Sequence, residues 1–140
     1  MDYEVVHEDD VPLRTLSDVY REYIERDEDK DPPEVAVRDI DAALGTEKMQ
    51  VKLWQFEPGD EIEYHAHLEQ EELYYILEGE FSLKLGRSGE TEIVEAGPGT
   101  FYVAAPKMGH GHRCIGEDRG VVLAVGAPPA DDPGQDPHQF

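Results

Sequence analysis

A chain of 140 residues is long enough for one domain with a real hydrophobic core and too short for two of ordinary size. Its 12 basic residues stand against 33 acidic ones, a formal net charge of −21, and that field repels nucleic acid and anionic membrane and excludes both as partners. One cysteine rules out an internal disulfide, and no apolar stretch approaches the length of a membrane span. The start, MDYEVVHEDD, lacks the basic segment and apolar run of a secretory signal, so a cytoplasmic protein is expected. So acidic a surface also suits concentrated salt, which points to a halophilic source.

In chain order, Tyr3 to Val6 reads as a short strand. From Thr15 to Arg26 the residues Leu16, Val19, Tyr20, Tyr23 and Ile24 recur at spacings of three and four, which predicts one amphipathic helix capped by Thr15 or Ser17. Its apolar stripe must bury against the remaining domain or against a second subunit. The run DEDKDPP, Asp27 to Pro33, ends the helix and makes a charged linker, so residues 1–33 form an N-terminal arm and helix.

From Glu34 the pattern changes to short β-rich runs separated by Gly, Pro and Asp. Strands are expected at Val35 to Ile40, Lys48 to Phe56, Glu61 to His67, Glu72 to Leu77, Glu80 to Leu85, Thr91 to Val94, Thr100 to Ala104, Gly111 to Ile115 and Gly120 to Val125. Turn signals at Pro58-Gly59-Asp60, Glu78-Gly79, Arg87-Ser88-Gly89 and Gly116-Glu117-Asp118 fall where hairpins need them. Many short strands with one helix argue for an all-β sandwich or jelly-roll barrel over residues 34–127, followed by a polar, Pro-rich extended tail at 128–140. Exposed sheet edges and the helical stripe both favour association, and a homodimer is the commonest closed solution.

The stretch GDEIEYHAHLEQEELYYILEG, Gly59 to Gly79, carries the chemistry. His65 and His67 are two residues apart, so on a strand both imidazoles face the same way. Glu72 follows five residues later, where a turn through Leu68 to Glu71 can fold the next strand back beside the first. Alternation puts Glu72 on one face with Tyr74 and Ile76 and turns the rival carboxylate, Glu71, away. Nitrogen and oxygen donors together suit one divalent transition metal: Fe, Mn, Ni, Cu or Zn. A second stretch, GTFYVAAPKMGHGHRC from Gly99 to Cys114, offers His110 and His112 on one strand face, either of which can supply a fourth ligand.

These residues resemble the motifs of the cupin superfamily. The first motif, Gly, five residues, His, one residue, His, three or four residues, Glu, six residues, Gly, is matched by Gly59, His65, His67, Glu72 and Gly79. The second is matched by Gly99, Pro106 and His110, with six residues rather than five between Gly99 and Pro106, Gly109 adjacent to His110, and Cys114 where the family has Asn. The resemblance implies a cupin-type jelly-roll barrel with metal ligands His65, His67 and Glu72. The His-to-Asn spacing adds His110 as the fourth and leaves His112 lining the pocket.

The family includes dioxygenases, isomerases, decarboxylases, lyases and seed-storage proteins. The leading expectation is a small-molecule metalloenzyme of the dioxygenase kind, with His112 or Tyr74 moving a proton. An isomerase or lyase, and a non-catalytic small-ligand binder or sensor, are the alternatives. Lys52, Lys84, Lys107 and Arg113 are the nearby cations; one or two facing inward would indicate an anionic substrate, and none a neutral aromatic or apolar one.

Overall fold

The computed structural model describes residues 3–16, 34–129 and 134–139. Among the described residues, ten strands form two antiparallel sheets: β1 (Leu13–Thr15), β2 (Ala36–Asp39), β3 (Gln50–Phe56), β4 (Glu61–His65), β5 (Glu71–Glu78), β6 (Phe81–Leu85), β7 (Glu92–Ala96), β8 (Phe101–Ala104), β9 (His110–Cys114) and β10 (Gly120–Ala127). One sheet has six strands in the order β1-β2-β3-β10-β5-β8, and the other four in the order β4-β9-β6-β7. Neighbours are mostly non-consecutive, so the chain crosses between layers as it must in a jelly roll. The all-β barrel read from the sequence is the fold. Among the described residues no helix is long and apolar enough to cross a membrane.

Strand alternation builds the core. Trp54 and Phe56 on β3, Tyr74 and Ile76 on β5, Val122 and Ala124 on β10 and Val37 on β2 point inward from the large sheet. Phe81 and Leu83 on β6 and Cys114 on β9 answer them from the small one. Phe56 and Phe81 meet edge to face at 5.1 Å, so the two layers share a single core. The turn at Gly79, which carries the chain from one sheet to the other, needs a glycine twice over: its φ is +90°, and a β-carbon there would stand 2.7 Å from Gly120 Cα.

The departures from the sequence reading have local causes. Tyr3 to Val6 is not a strand but largely exposed chain; the first pairing comes later, where Leu13 lies opposite Arg38. The run from Val35 breaks at Asp39 into a short unforeseen helix, α1 (Ile40–Leu44), ended by left-handed Gly45. Asp39 and Asp41 both receive Lys52 Nζ, at 2.5 and 2.8 Å, and Asp41 also accepts from the Val51 amide, which pins the turn to β3. The expected helix beyond Leu16 and the charged linker lie outside the described residues. The tail is not free: residues 134–139 return to the barrel, with Gln135 pairing Ala66 and Pro137 buried.

Candidate metal centre

β4 and β9 form the site's floor. Ile62 lies opposite His112 and His65 opposite His110, so two residues of β4, Glu63 and Tyr64, stand against one of β9, Gly111. The resulting bulge at Glu63-Tyr64 lets Ile62 pack on the core and His65 still face the interior; regular alternation would turn one of them out. The strand ends at His65, earlier than expected. Ala66 makes an isolated bridge and His67 follows in the turn, yet the two imidazoles remain neighbours, ring centroids 5.0 Å apart. The His67 carbonyl accepts from the Lys107 amide at 2.6 Å, tying this turn to the one that leads into β9.

The turn delivers Glu72 to the inner face of β5, with Tyr74 and Ile76, while Glu71 is exposed. Glu72 Oε1 pairs with His67 Nε2 and lies 3.6 Å from His110 Nε2; Oε2 accepts from the Tyr74 hydroxyl at 2.5 Å. His65 Nδ1 donates to the Glu63 carbonyl at 2.6 Å, and His110 Nδ1 to the Met108 carbonyl at 3.0 Å. A carbonyl can only accept, so both bonds fix the tautomer and leave Nε2 as a lone pair. One ligand atom from each of His65, His67, Glu72 and His110 lies within 4.8 Å of all the others.

These residues fit a metal. His110 Nε2 is buried without a hydrogen-bond partner, which costs stability unless something occupies that lone pair, and three imidazoles with one carboxylate are a donor set for first-row ions. Burial, with His110 and His67 close by, holds His65 well below the ordinary imidazole value, so its lone pair stays available. Burial alone would push the Glu72 carboxyl up, but the adjacent His110 and His67 imidazoles outweigh it and hold the group well below the ordinary carboxylate value.

His112 shares the inner face of β9 with His110 but is not in the cluster. Its ring packs against Tyr74 at 5.2 Å and Phe56 at 5.5 Å, Nδ1 meets the Tyr102 hydroxyl at 3.1 Å, and Nε2 is buried with no hydrogen-bond partner. Burial, then the neighbouring His110, pushes its pKa down to about 3, so it is neutral at physiological pH. Tyr74 stacks on Tyr102 at 4.7 Å. Cys114 is fully buried, as a small hydrophobe.

Of the four cations, only Lys52 faces the interior, and Asp39 and Asp41 take its charge. Lys84, Lys107 and Arg113 are exposed, Lys84 lying over the Tyr64 ring. Sequence reasoning did not find the Glu63 and Met108 carbonyls, Gln70, whose amide bonds Gln50 and the Pro128 carbonyl, or Gln135. The carbonyls and Gln135 act through backbone atoms that no residue type marks. Gly109 did have a signal: a β-carbon there would lie 2.2 Å from Tyr64 Cε2, so the glycine beside His110 is the space in which Tyr64 packs.

Solved structures share this fold at low identity. The polyketide cyclase RemF from Streptomyces resistomycificus superposes with a TM-score of 0.70 at 23% identity, covering 97% of this chain and 90% of that one. A sugar phosphate isomerase of the cupin superfamily from Silicibacter pomeroyi gives 0.71 at 20% identity, covering 92% and 78%. KdgF from a Halomonas species gives 0.59 at 22% identity, covering 77% and 91%. No curated protein matches the sequence. The family model of the cupin domain matches residues 52–126, more than half of the chain and all four clustered side chains, and the protein therefore belongs to the cupin family.

Proposed function

We propose that His65, His67, Glu72 and His110 hold one divalent transition metal, and that the protein is a metalloenzyme of the dioxygenase type acting on a small, uncharged molecule. The observation that carries this reading is the convergence of four donors around buried, partnerless His110 Nε2. A bound metal supplies Lewis acidity and, with iron or copper, a route for electrons to dioxygen.

The chain's own residues narrow the substrate. One carboxylate and three neutral imidazoles leave a divalent ion with net positive charge, which suits a substrate oxygen able to lose a proton. Lys52, the one of the four nearby cations that faces inward, is compensated by two aspartates, which disfavours a phosphate inside the barrel. Tyr74 carries a proton at the Glu72 carboxylate and is the group placed to pass one on; neutral His112 offers Nε2 as a hydrogen-bonding partner for a substrate in the barrel. A homodimer belongs to the same reading: β8 is a sheet edge, and Phe101 and Val103 on its outer side are 66% and 58% exposed.

A second reading, an isomerase or lyase using the metal as a Lewis acid, draws support from the fold neighbours named as a sugar phosphate isomerase and a polyketide cyclase. The Fe(II) form, mixed in an oxygen electrode with neutral enols and catechols and with sugar phosphates, separates the possibilities. Substrate-dependent dioxygen uptake supports the oxygenase. Product formation without uptake supports the isomerase or lyase, and binding without turnover a small-ligand binder.

A further inference from the structure

The segment Gly134–Gln139 lies beside the candidate metal centre, at the open edge of the four-stranded sheet. β4 is that edge, and its outer backbone groups have no strand partner in the sheet order. Where β4 gives way to the ligand turn, the Gln135 amide donates to the Ala66 carbonyl at 2.8 Å and the Ala66 amide to the Gln135 carbonyl at 2.9 Å. Ala66 is fully buried, and these two bonds satisfy its amide and carbonyl.

Flanking contacts hold the segment in place. Pro137 is buried, the His138 ring meets the edge of Tyr64 and its Nδ1 pairs with Ser88 Oγ, and Asp136 Oδ1 accepts from the His138 amide at 2.9 Å. Gly134 is close enough to His65 that a β-carbon there would stand 3.1 Å from Cδ2 of the ring.

We infer that this C-terminal segment is a strap that positions the metal ligands: by clamping the Ala66 backbone, it fixes the base of both His65 and His67 and walls one side of the site. Gln135 is thus a positioning residue, acting through Ala66. The inference rests on the metal-centre reading for its consequence, but the docking of the strap can be tested without metal.

The test compares the full chain with Gln135→Pro, which removes the amide that bonds Ala66, and with a chain ending at Pro133. In metal-free protein, amide hydrogen exchange at Ala66 is expected to rise about tenfold or more in both variants while β10 keeps its protection, which shows that the barrel is folded. With Co(II) bound, the visible ligand-field band is expected to shift and removal by EDTA to quicken by about tenfold, as for other groups that orient metal ligands. Unchanged exchange at Ala66 overturns the strap, and so does altered exchange with an unchanged band and unchanged removal. If no form of the protein takes up Co(II), the metal-centre reading fails on its own, while the exchange experiment still decides whether the strap holds Ala66.

Discussion

The Tyr74 hydroxyl donates to Glu72 Oε2 at 2.5 Å, a bond made possible by the two-residue spacing that puts both side chains on the inner face of β5. Glu72 Oε1 is thereby left to His67 and His110. One tyrosine therefore fixes which carboxylate oxygen faces the three imidazoles. Tyr74→Phe keeps the ring stacked on Tyr102 and deletes only the donor. Metal affinity is expected to fall about tenfold, with a stability loss of about 1 kcal/mol, in calorimetric titration and denaturant melts. Unchanged affinity would show that Glu72 is oriented by other means.

Gly109→Ala should damage the site from behind. The new methyl falls on the Tyr64 ring, whose hydroxyl bonds the Gly86 carbonyl at 2.5 Å and whose face carries Lys84. Overpacking of this kind costs about 1–3 kcal/mol. A double variant with Tyr64→Ala is expected to be less unstable than the sum of the single changes, because the clash has then gone. Additive losses would place the cause elsewhere.

Acid should unfold the metal-free protein early. His112, with its folded pKa near 3, stays neutral while the unfolded chain takes up a proton below about 6.5, so stability is full above that pH and declines from there toward 3. His112 alone costs about 1.4 kcal/mol per pH unit across that window, and His65, also depressed, adds in the same direction. Glu72, depressed as a carboxylate, withdraws its stabilisation lower still, as pH falls below its ordinary range. Thermal melts in chelator should show Tm falling steadily from about pH 6.5 to about pH 4.5, and His112→Phe should flatten the slope. A Tm that does not change over those two units contradicts the buried neutral imidazoles.

Association can be read from Phe101, on the outer side of the edge strand β8 and 66% exposed. Phe101→Glu should raise the dimer dissociation constant at least about tenfold in sedimentation velocity while leaving the thermal melt of the monomer within about 0.5 kcal/mol. A wild-type chain that sediments as a monomer at all concentrations rules the dimer out.

The fold and the four clustered residues were legible because both rest on side-chain type and short spacing. Gly59, His65, His67, Glu72 and Gly79 all fall on two successive strands, β4 and β5, and the turns at their ends, where alternation and turn chemistry decide orientation locally. The strands from β3 to β10 were readable for the same reason. What was hidden depends on backbone and distance along the chain. The β4 bulge that keeps both Ile62 and His65 inward is set by pairing with β9, nearly fifty residues away in sequence. The strap joins Gln135 to Ala66 through main-chain atoms alone, and α1 follows from Lys52 gathering Asp39 and Asp41. Strand alternation left His110 and His112 on one face; in the structure the His110 ring lies beside Glu72, and the His112 ring packs among Phe56, Tyr74 and Tyr102, contacts that depend on strands distant in sequence.

Metal content tests the central claim most directly: elemental analysis of protein purified without added metal or chelator, beside a His65→Ala, His67→Ala double variant. Near-stoichiometric iron, manganese, nickel, copper or zinc in the wild type, lost from a folded variant, is the result expected of the four-ligand centre. A wild-type chain that holds no such metal and takes none up on reconstitution, or a variant that keeps its full complement, would contradict it.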